Sequence, residues 1–170
     1  MMKTLLKTID TISEWSGEIG RWVAVALILI LSYEVIARHV FNAPTIWAAD
    51  LASMLGGTIA YLGWCYTHQK HGHVRVDVFY VRLSRRSKAL VDVLGSLVFF
   101  LPLFLVLARA AYVRLMFSWS MHERLSMSYW YPPATPIRTL FFIGLCLFAL
   151  QGVAQLLRDF YVLVRNKSYD

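Results

Sequence analysis

Four long apolar blocks, cut by short polar corners, constrain this chain more than any motif in it. They run from about 22 to 37, 47 to 67, 89 to 119 and 137 to 157, and a helix needs roughly 20 mostly apolar residues to cross a bilayer. A surface helix of a soluble protein would keep charge along one face throughout; here the charges gather at the block ends. With 58% hydrophobic and 16% charged residues and a mean hydropathy of +0.55, the expected fold is an all-α membrane protein with four transmembrane helices. Four spans and their connections take up nearly all 170 residues, so the chain reads as a single membrane domain without a soluble catalytic unit.

Ahead of the first block, residues 1–20 place Leu5, Ile9, Ile12 and Ile19 near one stripe, with Lys3, Lys7, Asp10, Glu14 and Glu18 mostly elsewhere. That pattern predicts a separate short helix lying along the membrane interface. A secretory signal fits poorly, because the apolar core begins only at Trp22 and no small-x-small cleavage site follows at the right distance.

The corner between the first two blocks holds the most informative residues. Glu34 and Arg38, spaced i, i+4, can pair near the helix end. Arg38, His39 and Asn42 close the first helix, Pro44 suits the first turn of the next, and Trp47 belongs at a membrane–water boundary. Asp50 lies one turn inside the second span, where a carboxylate needs a partner. Arg38 is the nearest candidate, and an arginine of another subunit is the alternative. Ala52, Gly56 and Ala60 then repeat every four residues, a bare face that suits close approach of another helix, within this chain or outside it.

From His68 to Lys88 the chain is strongly cationic. Cys65, His68, His71 and His73 are the residue types of a zinc site, but their spacing matches no standard closed site. Cys65 and Cys146, without CxxC spacing, read as small buried hydrophobes. The third block is too long for a 30 Å core, and Pro102 gives a cause for a bend inside it. Tyr129, Trp130 and Tyr131 form an aromatic belt before the last span, and Pro132, Pro133 and Pro136 stiffen the approach to it. In that span Gln151 and Gln155 can hydrogen-bond across a helix interface, and they suggest a packing edge that four short helices do not satisfy by themselves.

Orientation follows from the lysines and arginines. Twelve fall on the side of the termini and the middle loop, against Arg38, Arg109, Arg114, Arg124 and Arg138 on the other. The bias puts both termini in the cytoplasm. The net charge of +7 is thereby assigned to orientation and membrane lipids, with no case for nucleic acid.

The stretches RHVFNAPTIWAADL, GGTIAYLGWCYTHQKHGHVRVDVF and YPPATPIRTLFFIG, in this order across residues 20–157, resemble the small membrane subunit of tripartite ATP-independent periplasmic (TRAP) transporters. The family's closing arginine is matched by Arg38, and its corner Asn and Trp by Asn42 and Trp47. Its acidic pair is represented by Asp50 alone, beside Ala49. Its G-x-H-V-x-V-D signature appears as Gly72, His73, Val74, Val76 and Asp77. The resemblance implies a non-catalytic subunit of a bacterial inner membrane complex, without a cofactor. Its partners would be a large membrane subunit, which carries the sodium and substrate sites, and a periplasmic substrate-binding protein that captures an organic acid. Two other classes fit the sequence less well. A haem-bearing anchor needs histidines facing each other inside the bilayer, whereas His39, His68, His71, His73 and His122 fall at helix ends or in loops. A stand-alone carrier needs a broken helix with a central ionisable cluster, and the neighbours of Pro102 are apolar.

Overall fold

A computed structural model describes residues 2–70, 83–126 and 128–165. Helix α1 spans Met2–His39 and α2 spans Ala48–Gln69. Arg85–Gly95 forms α3, which runs through a π-helical turn at Ser96–Phe100 into α4, Leu101–Ser120. The final helix, α5, is Thr135–Arg165. Helix α2 packs against both α1 and α5, and α4 packs against α5.

Helix α1 corrects the first expectation, for it is unbroken across residue 20. Its 38 residues make a rod of about 57 Å, and they contain no proline to stop it. The inward stripe is also different from the one expected. Leu6, Ile9, Ser13, Ser16 and Gly20 are buried, while Leu5, Ile12 and Ile19 are exposed. The 3–4–3–4 spacing of the buried set is a helix–helix seam, so the first half of α1 is fastened to the bundle along its length.

Among the described residues three helices, Thr4–His39, Arg86–Ser120 and Thr135–Val164, are long and apolar enough to cross a membrane. Helix α2 is not among them, since its 22 residues include Asp50 and the glycines Gly56, Gly57 and Gly63. A helix flanked on both sides by α1 and α5 has less surface to make apolar. Ile28, Leu29, Phe99 and Leu105 on the other helices are 63–75% exposed, as expected where the surrounding solvent is hydrocarbon.

Pro102 acts through the turn that precedes it. It has no N–H, and its ring crowds the carbonyl four residues back. The chain meets both demands by widening one turn, with the Leu101 N–H bonded to the Ser96 carbonyl, an i to i−5 step. The wide turn sets the Phe100 ring against Gly152 of α5, where an added Cβ would overlap the ring. Phe100 also stacks on Phe104 and on His68, and Phe148 joins them to complete an aromatic knot between α2, α4 and α5.

Helices α2 and α5 approach closely at Gly144. A Cβ at Gly144 would lie 2.7 Å from the Tyr61 carbonyl oxygen and 2.8 Å from the Tyr61 Cβ. Tyr61 in turn meets Trp64 and Phe141 edge-on.

Candidate functional site

The corner between α1 and α2 is built on Glu34. Arg38 donates from Nε and Nη2 to Oε1, at 3.1 and 2.7 Å. The other carboxylate oxygen accepts from the Thr45 backbone N–H and hydroxyl, and the Thr45 oxygen receives the Ala48 N–H at the start of α2. One acidic side chain thus ties the end of α1 to the start of α2. Asn42 turns the chain with φ of 50°, a left-handed conformation that asparagine tolerates better than most residues. Trp47 stacks on Tyr33 with ring centroids 5.9 Å apart.

Asp50 is 5% exposed, and its partner is not Arg38, whose guanidinium is engaged by Glu34. The Ser128 hydroxyl donates to Asp50 Oδ2, and the Trp130 N–H donates to that same hydroxyl at 3.1 Å. The reason is geometric: at the far end of α1, Arg38 reaches Glu34 one turn back, whereas the loop after α4 folds over the first turn of α2. Asp50 therefore pins the aromatic loop. Replacing Ser128 by Ala is expected to loosen the loop as much as Asp50→Ala does, and Asp50→Asn, which keeps an acceptor, much less. Amide hydrogen exchange at Tyr129–Tyr131 measures it, and slow exchange in Ser128→Ala would refute the assignment.

Beside this loop, Glu123 accepts from Arg114 and Arg138 on one oxygen, at 2.9 and 2.6 Å. The loop itself closes through the Leu125 N–H to the Pro132 carbonyl and the Ala134 N–H to the Glu123 carbonyl.

At the opposite end lies a buried polar node of which sequence reading points only to Gln151. Gln151, fully buried, accepts from the Ser13 hydroxyl at 3.0 Å and donates from Nε2 to Asp10 at 3.1 Å. Arg158 binds the second Asp10 oxygen at 2.5 Å. Ser13 also lies 2.8 Å from the Cys65 sulfur, which donates to the Leu147 carbonyl, and Ser16 donates to the Leu62 carbonyl. Helices α1, α2 and α5 meet here. Just beyond, Lys70 pairs with Glu14 at 3.0 Å, and that carboxylate holds the lysine ammonium above its ordinary range.

The node revises two expectations. Gln151 is satisfied inside the chain, and Gln155 donates to Asp159 on its own helix at 3.1 Å, so the pair is not a shared unsatisfied edge. Cys65 packs as a small buried group, yet it also takes part in the node's hydrogen bonds; Cys146 is exposed. Sequence reading points to Gln151 as an interface residue, and the Ser13, Ser16, Gly20 spacing is a further hint. His71, His73 and Asp77 lie outside the described residues.

The small-residue face of α2 finds no close partner among the described residues. Nothing approaches within 4 Å of a Cβ built at Gly56, Ala60 is exposed, and Ala52 is half-buried. The close helix contacts use Gly144, Gly152 and Gly17 instead, the last beneath the Tyr66 ring.

The family model described as tripartite ATP-independent periplasmic transporters, DctQ component, matches residues 27–161. The sialic acid TRAP transporter permease protein SiaT of Haemophilus influenzae (strain 86-028NP) is 27% identical over 100 residues. That match covers 59% of this chain and 16% of the relative's length.

Proposed function

The chain belongs to the DctQ component family of tripartite ATP-independent periplasmic transporters, and from that premise we propose that it supports a large membrane subunit in sodium-driven uptake of an organic acid. In this reading all four long helical segments span the bacterial inner membrane, α2 included, with both termini in the cytoplasm. A periplasmic binding protein delivers the substrate, and this chain has no catalytic role. The relative's name specifies sialic acid, a carboxylated sugar, which fits an acidic substrate.

The observation that carries the proposal is the uncovered face of α2 at Gly56 and Ala60. A helix already held between α1 and α5 still presents a flat, small-residue strip, and in lipid such strips favour close helix association. Copurification tests it. Expressed with the large subunit, the chain is expected to carry it through mild detergent, and Gly56→Leu is expected to reduce recovery of the large subunit about tenfold while leaving this chain's own yield intact. Undiminished recovery in Gly56→Leu would reject this face as the contact.

Orientation has its own measurement. In a Cys146→Ala background, a cysteine at Ser126 should react with an impermeant thiol reagent in intact cells, and one at Ser84 should not. Labelling at Ser84 would invert the topology.

A further inference from the structure

We propose that the open face of α4 from Val106 to Phe117 binds a membrane phospholipid, with Arg109 holding its phosphate. The groove there measures about 520 Å³ and is lined by Val106, Arg109, Ala110, Val113, Arg114 and Phe117. Its walls are apolar except for the two guanidinium groups. Arg114 is committed to Glu123 and lies over the Phe117 ring, 5.1 Å from its centroid. Arg109 is exposed and, among the described residues, has no hydrogen-bond or ion-pair partner.

The level of Arg109 in the bilayer favours a phosphate. Residues 93–108 carry no charge, and at 1.5 Å per residue they cover about 24 Å, most of a hydrocarbon core of about 30 Å. Arg109 is the first charge beyond that stretch. Its side chain extends toward the headgroup layer while its stem stays on apolar surface, so the guanidinium meets phosphate oxygens, which it can bind through two parallel N–H donors. On the core side of Arg109, Leu103, Leu105 and Val106 are 55–70% exposed and give an acyl chain a continuous apolar track. Ala110 leaves room beside the arginine for the glycerol. A carboxylate on a partner helix would satisfy the charge but would leave that track unexplained.

The test uses the full-length chain in mild detergent, mixed with phosphatidylglycerol and read by native mass spectrometry. A retained lipid adduct is expected, with occupancy falling about fivefold in Arg109→Ala, in line with roughly 1 kcal/mol per surface arginine. Val113→Trp keeps the cation and fills the groove, so the same loss is expected there, and this variant answers the question if Arg109→Ala does not fold. Arg124→Ala, whose guanidinium bonds the Tyr131 carbonyl, should retain the adduct. Equal occupancy in wild type, Arg109→Ala and Val113→Trp would overturn the proposal. So would displacement by inorganic phosphate at equal concentration, which would reduce the site to a bare anion contact. Unchanged lipid occupancy with lost copurification of the large subunit in Arg109→Ala would assign the arginine to a partner's carboxylate instead.

Discussion

Gly144→Ala is expected to destabilise the isolated chain by about 2–3 kcal/mol, whereas Gly56→Ala should leave it unchanged or slightly more stable. At Gly144 the added methyl would meet the backbone carbonyl of Tyr61 at 2.7 Å and its Cβ at 2.8 Å. Neither atom moves without shifting α2 itself, and overpacking against fixed backbone costs about 1–3 kcal/mol. The separation would spread to the Tyr61–Phe141 edge contact and the Cys65–Leu147 hydrogen bond in the same interface. At Gly56 there is open space, and replacing a helical glycine by alanine gains up to about 1 kcal/mol. Thermal unfolding in one detergent, both variants side by side, measures the difference. Equal midpoints would mean that the α2–α5 approach is looser than the structure has it. Gly152→Ala should fall between the two, because the atoms it meets belong to the outer edge of the Phe100 ring, which can rotate away.

The second large effect is expected from Asp10. Removing its carboxylate in Asp10→Ala leaves the Arg158 guanidinium without its anion and the Gln151 amide without its acceptor, in a site where Gln151 is fully buried. Breaking a fully buried pair costs about 3–5 kcal/mol. The side chains of Arg158 and Asp10 keep 22% and 29% exposure, so water recovers part of that and about 2 kcal/mol is expected. The double variant Asp10→Leu with Arg158→Met should return most of the loss, since no charge is then stranded. A double-mutant cycle on thermal stability tests it, and strictly additive losses would show that the pair is not coupled.

These two predictions rest on residues that were legible to different degrees. The helical blocks and the corner between the first two could be read directly: Glu34 and Arg38 pair at the expected i, i+4 spacing, and Pro102 perturbs the helix in which it stands. The facing of the helices could not. Ala52, Gly56 and Ala60 looked like the close-packing strip, yet within the chain that work falls to Gly144, Gly152 and Gly17. Ile9 was the only member of the expected α1 stripe to turn inward.

Sequence by itself determined that this chain is helical and membrane-embedded and where its helices end at the corners around Asn42 and Tyr129–Pro136, because length, charge placement and proline act locally and leave local marks. It also carried the family, through motifs that sit at those same ends. Only the tertiary structure decided which face of each helix turns toward its neighbours, that α1 continues through residue 20 to join the bundle, and that Asp50 answers to Ser128 rather than Arg38. The physical reason is the solvent. In water a core face is apolar and an outer face polar, so periodicity points inward; in lipid both faces are apolar, and the inward one is marked by small and polar side chains such as Ser13, Cys65 and Gln151, whose partners lie 52 and 138 positions away from Ser13 in the chain.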